Sequence, residues 1–182
     1  MLAAIDLMAE KGYKGVSTKE IAAAAGVSEM TLFRNFGSKQ NLLESAVERY
    51  HYSVEMSSLF TEKVIWELRA DLLMISGMYH ELMNRNRKLF LIVLSDNELA
   101  GIREQAQKHP RTLLELLTDY FNDMQRKGKL VTIDAEAQAI TFMWMNYGAF
   151  MTQLFGASSM TTVSLERFME SSIELFVKAL SP

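Results

Sequence analysis

The sequence predicts an all-α protein with a small N-terminal head and a larger C-terminal helical body. Apolar residues recur three and four positions apart along the 182 residues, only two prolines are present, and the alternating pattern of β-branched residues that marks strands is missing. A composition of 49% hydrophobic and 23% charged residues is that of an ordinary folded protein. The absence of cysteine excludes disulfides, a thiol nucleophile and cysteine zinc sites.

The apolar segments are too short for a membrane protein. The longest uninterrupted apolar stretch is Leu89 to Leu94, whereas about 18 residues are needed to span a bilayer. No charged region followed by an apolar core stands at the start of the chain. We therefore expect no membrane partner and a cytoplasmic location.

The charge is unevenly distributed. The net charge of −3 would count against nucleic-acid binding if it were spread evenly. Residues 11–40, however, hold five basic side chains, Lys11, Lys14, Lys19, Arg34 and Lys39, against only Glu20 and Glu29. This local excess of positive charge indicates a small module that faces an anion.

Serine caps and glycines divide the first part of the chain into helices. An S-x-x-E capping box at Ser17 and Glu20 opens the second helix, and Gly26 ends it. Ser28 caps the predicted third helix and Ser38 caps the fourth. The predicted helices of this part are 1–11, 17–25, 28–35 and 38–56.

Longer helices are predicted in the rest of the chain, at 62–84, 86–95, 98–107, 111–127, 134–155 and 164–180. We expect two domains, 1–47 and 48–182. Because no proline- or glycine-rich linker separates them, the fourth helix should transmit movement from the body to the head.

The segment 18–35 fits a helix-turn-helix. Ala22 is small where two helices would cross closely, and Gly26 supplies the positive φ of a tight turn. Three apolar side chains would fill the shared core: Ile21, Val27 and Leu32. If this pattern is taken by itself, the alternative is a helical hairpin whose only role is to pack within the fold.

Longer runs of residues make the pattern specific. Residues 21–28 read Ile-Ala-Ala-Ala-Ala-Gly-Val-Ser, residues 31–39 read Thr-Leu-Phe-Arg-Asn-Phe-Gly-Ser-Lys, and Leu42 and Leu43 follow. Together with the first helix, from Ala3 to Tyr13, they closely resemble the N-terminal signature of the TetR family of one-component bacterial transcriptional regulators. The resemblance covers residues 1–47; the remainder fits the family only in length and helical content.

The resemblance implies DNA contacts for the matched positions. The helix that begins at Ser28 and ends at Asn35 would be the recognition helix in the major groove. Side chains implied to reach base edges are Lys19, Glu29, Met30, Thr31 and Asn35. Lysine suits guanine, asparagine adenine, glutamate cytosine, and methionine or threonine the thymine methyl group. Side chains implied to contact phosphates, which position the protein without reading sequence, are Ser17, Thr18, Phe33 and Lys39.

Two features depart from the family pattern. Phe33 stands where the family usually has tyrosine, so a hydrogen bond from a phenol to a phosphate is lost. The sequence also begins inside the first helix, whereas relatives usually carry a basic arm before it. Phe33 would keep only its packing, and without the arm we expect a lower affinity for DNA than in a relative that has it.

A helix that is apolar on all sides is predicted near the C-terminus. Ten of the thirteen residues from Ala139 to Met151 are apolar, so this helix must be buried on more than one side. One compact core would explain this; a four-helix interface with a two-fold mate, built with helix 164–180, would explain it too. The side facing the interior would line an adaptable pocket for a small apolar or amphipathic ligand, with Met74, Met78, Phe121, Met143, Trp144 and Tyr147.

Enzymatic and metal chemistry find little support. His51, His80 and His109 are scattered, no glycine-rich phosphate loop or nucleophile elbow is present, and we expect no catalytic residues, metal or cofactor. A helical enzyme would need a polar constellation inside its pocket, and a purely structural module leaves the basic window unexplained.

The predicted function is that of a repressor that binds a palindromic operator in double-stranded DNA as a homodimer and is released by its ligand. The alternative is a DNA-binding activator or repressor without a small ligand, controlled by a protein partner.

Overall fold

A computed structural model describes residues 1–50, 53–156 and 161–182. Within these ranges the regular structure is entirely helical, which confirms the predicted all-α class. A short 3-10 turn spans Asn97–Leu99. The α-helices are α1 Leu2–Lys11, α2 Thr18–Ala24, α3 Glu29–Phe36, α4 Lys39–Arg49, α5 Ser53–Glu62, α6 Leu68–Arg85, α7 Arg87–Ser95, α8 Ala100–Ala106, α9 Lys108–Arg126, α10 Ala135–Leu154 and α11 Leu165–Leu180.

The chain forms two compact units. The head unit comprises Met1–His51 and Asn86–Lys108, and the body unit comprises Tyr52–Arg85 and His109–Pro182. Residues 86–108, predicted to belong to the C-terminal domain, pack with the N-terminal helices. The functional division at residues 47 and 48 stays a prediction.

The head unit has a single apolar core to which its two chain segments both contribute. Helix α1 packs against α2 and α7, and α4 packs against α8. The segment 86–108 joins this core because α7, the 3-10 turn and α8 each present an apolar face to it. The buried side chains are Ala4, Ile5, Met8, Val16, Ile21, Ala22, Leu32, Leu42, Leu43, Ala46, Leu89, Ile92, Val93, Leu99 and Ile102.

Helix α6 lies at the centre of the body unit. It packs against α5, α10 and α11, and its buried positions face several sides. Among the largest fully buried side chains of this unit are Leu72, Ile75, Phe121 and Phe150. The burial of such side chains is the main favourable contribution to its folding.

The region between α4 and α6 differs from the sequence prediction. Helix α4 ends at Arg49 instead of near residue 56, residues 51 and 52 lie outside the described part, and a separate helix α5 precedes α6. Trp66 adopts a positive φ of 64°, and the Asp71 carboxylate accepts hydrogen bonds from the backbone amides of Ile65 and Glu67, each at 2.9 Å. Because these features begin a new helix at Leu68, the predicted helix 62–84 is wrong at its start.

The predicted break between helices 98–107 and 111–127 lies at Gln107, so the second of these helices begins earlier than expected. Helix α9 begins at Lys108, so Pro110 lies in its first turn. A proline is tolerated there because the first backbone amides of a helix have no partner within the helix.

Candidate nucleic-acid interface

Helix α2 begins with the predicted capping box. The Ser17 hydroxyl accepts a hydrogen bond from the Glu20 amide at 3.2 Å, and the Glu20 carboxylate accepts one from the Ser17 amide at 2.9 Å. The same carboxylate accepts a hydrogen bond from Lys11 Nζ at 3.0 Å. The hydrogen bond from the Ser17 amide, with help from Lys11, lowers the pKa of Glu20 to about 2. These contacts join the end of α1 to the start of α2.

The turn between α2 and α3 requires its glycine for conformation. Gly26 has a φ of 67°, and a Cβ added there would meet no atom within 4 Å, so steric space is not the reason for a glycine. The Val27 amide donates to the Ala22 carbonyl at 3.0 Å, which closes the turn. Ser28 then caps α3 by accepting from the Thr31 amide at 3.1 Å. The predicted helix-turn-helix is confirmed.

Helix α3, the predicted recognition helix, buries Leu32 and exposes two large apolar side chains. Met30 is 81% exposed and Phe33 is 66% exposed, and Asn35 is exposed as well. Lys19 on α2 is also exposed. Exposed apolar side chains next to cationic ones are suited to a surface that carries both methyl groups and negative charge, such as the major groove.

Four of the residues predicted to contact DNA form two hydrogen-bonded pairs with one another. Thr18 Oγ1 donates a hydrogen bond to Glu29 Oε1 at 2.5 Å, across the turn. The Thr31 hydroxyl is hydrogen-bonded to the Ser28 hydroxyl at 2.9 Å. The DNA-contact roles of these side chains stay predictions, and DNA would have to compete with these internal hydrogen bonds.

Lys39 is held inside the head unit. Its Nζ donates to the carbonyl oxygens of Tyr13 at 2.7 Å and Val16 at 2.8 Å, and lies 4.3 Å from the centre of the Tyr13 ring. Partial burial lowers the pKa of Lys39, while Asp96 and Glu98 oppose that shift. The positive charge at the start of α4 is thus compensated by backbone oxygens, and the phosphate contact of Lys39 stays a prediction.

Sequence reasoning missed a close backbone approach at Gly15. A Cβ added to this residue would lie 2.2 Å from the carbonyl oxygen of Lys11. Only glycine fits such an approach without a shift of the backbone. The signal in the sequence is the second glycine of the run Lys11 to Gly15.

The predicted ligand pocket is only partly internal. Phe121 and Met143 are buried and Met74 and Met78 are half-buried. Trp144 is 67% exposed in the single chain and Tyr147 is 40% exposed. Their expected position in the interior is wrong because the buried stripe of α10 runs through other positions, Ala139, Phe142, Met143, Asn146, Phe150 and Leu154.

A buried polar cluster in the body unit was also missed. Ser76 and His80 on α6 meet Asn146 on α10: Ser76 Oγ donates to Asn146 Oδ1 at 2.5 Å, and His80 Nε2 lies 3.2 Å from the same oxygen. The available signals were the four-residue spacing of Ser76 and His80 and a lone asparagine within an apolar helix.

Metal ligands do not cluster in the described ranges, where no group of three or more His, Asp or Glu side chains could hold an ion. His51 lies outside these ranges. None of the helices in the described part of the chain combines the length and apolar character that crossing a bilayer requires.

Comparisons with known proteins agree with this geometry. Residues 1–46 match the family model for bacterial regulatory proteins of the tetR family. Over 180 residues the chain is 33% identical to an uncharacterized HTH-type transcriptional regulator, YvkB, of Bacillus subtilis, which covers 98% of this chain and 94% of that protein. An HTH-type transcriptional repressor of Mycobacterium tuberculosis, Rv3405c, is 24% identical over 87% of this chain and 77% of its own length.

Solved structures share the fold. The crystal structure of the transcriptional regulator FadR from Bacillus subtilis in complex with stearoyl-CoA superposes with a TM-score of 0.75 at 20% identity, and the match covers 96% of this chain and 94% of that one. With a full-length relative at 33% identity and a helix-turn-helix of the expected geometry, the chain belongs to the TetR family of transcriptional regulators.

Proposed function

We propose that this regulator binds a palindromic operator as a homodimer in the cytoplasm, represses transcription there, and is released when a small apolar or amphipathic ligand enters its body unit. The observation that carries the proposal is the exposed face of α3, where Met30 and Phe33 lie on a helix-turn-helix with an excess of positive charge. The name of the mycobacterial relative supports repression over activation.

Operator reading rests on side chains that point away from the head core. Asn35 and Lys19 are exposed and suit adenine and guanine, and Met30 suits a thymine methyl group. Glu29 reads cytosine if DNA displaces Thr18 from it. Because a dimer presents two copies of α3, its operator should consist of two inverted half-sites.

Dimerisation rests on apolar side chains of α10, of its C-cap residue and of α11 that the single chain leaves exposed. Trp144, Phe155 and Leu175 are each more than 60% exposed. The two helices meet at the rings of Phe142 and Phe176, whose centres are 5.7 Å apart, so they can present one common surface. Since large exposed apolar patches are rare in soluble monomers, we expect a two-fold mate to cover them.

Ligand control rests on the character of the body unit. Met74 and Met78 are half-buried on its central helix, and methionine adapts to ligands of varied shape. The structural neighbour FadR was solved with stearoyl-CoA, an amphipathic ligand. By linkage, a ligand that favours a dimer with mismatched heads weakens DNA binding, and DNA weakens the ligand equally.

The test is selection of operator sequences from random duplex DNA with the purified protein, followed by release with a panel of apolar and amphipathic compounds. We expect an inverted repeat, and loss of binding on addition of at least one compound class. Enrichment of no sequence would refute DNA recognition. Operator binding that no compound weakens would favour the ligand-free alternative, a regulator controlled by a protein partner.

A further inference from the structure

The interior of the body unit contains a cluster of polar side chains, Ser76, His80 and Asn146, that its apolar surroundings do not explain. Ser76 is fully buried, His80 is 3% exposed and Asn146 is 2% exposed. They lie where the central helix α6 packs against α10. A buried polar group is costly unless each of its hydrogen-bonding atoms has a partner, so each atom of the cluster needs an account.

The asparagine has a fixed orientation. Asn146 Nδ2 donates to the Phe142 carbonyl at 2.8 Å, which leaves Oδ1 facing α6. This oxygen accepts from Ser76 Oγ at 2.5 Å and lies 3.2 Å from His80 Nε2. Because an amide oxygen only accepts, His80 must carry its proton on Nε2.

The other nitrogen of His80 has no partner. Nδ1 is buried and forms no hydrogen bond. Burial lowers the pKa of His80, although its hydrogen bond to Asn146 opposes the shift, so the ring is neutral near pH 7 and Nδ1 carries a lone pair. The cluster therefore holds an oriented, unsatisfied hydrogen-bond acceptor in an apolar interior.

Helix α6 leaves space one turn before His80. Gly77 precedes His80 by one turn, and a Cβ added to Gly77 would meet no atom within 4 Å. Half-buried Met74 and Met78 flank Gly77 along α6. A ligand group can therefore approach this part of α6 next to flexible apolar side chains.

We propose that His80 Nδ1 accepts a hydrogen bond from a neutral hydroxyl or amide N–H of the effector, whose apolar remainder packs on the methionines of α6. Ser76 and Asn146 are positioning residues: they hold the imidazole in the tautomer that leaves Nδ1 free to accept. This inference rests on the proposed role as a ligand-controlled regulator. It restricts the effector to amphipathic molecules that carry a neutral donor.

Matched probes test the donor directly. Primary alcohols of six to sixteen carbons would be titrated into the full chain beside their methyl ethers, which can accept but not donate, and beside carboxylates of equal length. Binding is measured by calorimetry and by release of the selected operator. We expect the best alcohol to bind about fivefold to tenfold more tightly than its ether, the value of one hydrogen bond to a buried neutral acceptor.

Variants assign that difference to His80. His80→Phe keeps an aromatic ring but removes the acceptor, so alcohol and ether should bind equally, whereas His80→Gln should retain part of the difference through its amide oxygen. If His80→Phe does not fold, as judged by helical content and melting, Ser76→Ala provides the second test, with a reduced preference for the alcohol. His109→Phe is the matched control, because His109 is another buried histidine of the same unit, hydrogen-bonded to Ser53. Its preference should equal that of the wild type.

The outcomes separate the two proposals. Equal affinity for alcohol and ether in the wild type, or a preference that survives in His80→Phe, would show that His80 only fills the core, although ligand control could still hold. Tighter binding of the carboxylates would overturn the neutral-donor assignment. Failure of every donor-bearing probe would overturn it too, and operator selection on the same protein reports separately on the regulator function.

Discussion

Lys39 connects the start of α4 to the segment that follows α1: its Nζ lies 2.7 Å from the carbonyl oxygen of Tyr13 and 4.3 Å from the centre of the Tyr13 ring. A second hydrogen bond reaches the carbonyl oxygen of Val16. Only one of the three ammonium protons remains for a phosphate. Lys39 is therefore a structural residue of the head first, and its predicted phosphate contact would have to use that remaining proton.

Lys39→Ala should lower the stability of the head unit by about 1–2 kcal/mol, since two charge-assisted hydrogen bonds at a partly exposed site are lost. Operator affinity should fall for all sequences alike, and the slope of log affinity against log salt should decrease by about one if a phosphate contact is lost as well. Thermal melts and binding at several salt concentrations measure both effects. If the salt-dependence slope is unchanged while the melting temperature falls, Lys39 has a structural role and no phosphate contact.

The hydrogen bond between Thr18 and Glu29 should determine specificity more than stability. Both side chains are at the surface, so Thr18→Val should change the melting temperature little. It should, however, release the carboxylate and change the base preferred at the position that Glu29 reads. Operator selection with Thr18→Val, Glu29→Gln and the double variant measures the coupling; additive effects on base preference would show that the pair is irrelevant to recognition.

Asn35→Ala and Lys19→Ala serve as the comparison for the Thr18 and Glu29 variants. Neither side chain takes part in the capping box of α2, which Ser17 and Glu20 form. Each should change base preference by about 1–3 kcal/mol per lost bidentate contact. Unaltered operator preference in both variants would mean that another part of the head unit reads the bases.

The dimer prediction is tested best at Leu175. Phe176 packs on Phe142 within the chain, so Phe176→Asp would disturb the fold as well as an interface. Leu175 is 67% exposed on α11, and Leu175→Asp should convert a dimer at micromolar concentration into a folded monomer, as measured by light scattering. Val54→Asp is the matched control, since Val54 is 66% exposed on α5 of the same unit. Dissociation by both variants, or a wild type that is already monomeric, would contradict the proposed interface.

Glu20 should give the head unit a defined sensitivity to acid. Its pKa is about 2 in the folded chain against the usual 4.5, so the stabilisation is fully present above pH 4.5 and is lost as the pH falls toward 2. At pH 7, Glu20→Gln should therefore have a lower melting temperature than the wild type. The melting temperatures of the two proteins should converge as the pH falls toward 2. Glu10→Gln, an exposed position on α1, should show no such convergence.

Local signals predicted the head well. Ser17, Ser28 and Ser38 each cap the helix that their position in the sequence indicated, because an N-cap is decided within four residues. The start of α6 could not be predicted in this way. Asp71 stabilises that start while it also accepts a hydrogen bond from the Tyr120 hydroxyl at 2.9 Å, and the second partner is 49 residues away.

The interior of the body unit shows the same limit. Trp144 and Met143 are neighbours in a helical stretch, Ala139 to Met151, in which ten of thirteen residues are apolar, so composition could not decide which of the two faces inward. The hydrogen bond from Ser76 to Asn146 joins residues 70 positions apart. Only the packing of α6 against α10 brings these polar side chains together.

The close approach of Gly15 to the Lys11 carbonyl gives a prediction that separates a steric requirement for glycine from the general effect of glycine on helix stability. In Gly15→Ala the new Cβ would lie 2.2 Å from the Lys11 carbonyl oxygen, so the backbone between α1 and α2 must shift. We expect the free energy of unfolding to fall by about 1–3 kcal/mol, as for an overpacked site, and operator binding to weaken because the shift reaches Ser17 and its capping box.

Gly101→Ala is the matched control: a Cβ at Gly101 meets nothing within 4 Å, and alanine favours the helix α8 in which it lies. That variant should melt at or above the wild-type temperature with unchanged affinity. Equal melting temperatures for the two variants would show that the chain between Lys11 and Gly15 relaxes freely, and that the geometry of this turn does not constrain the helix-turn-helix.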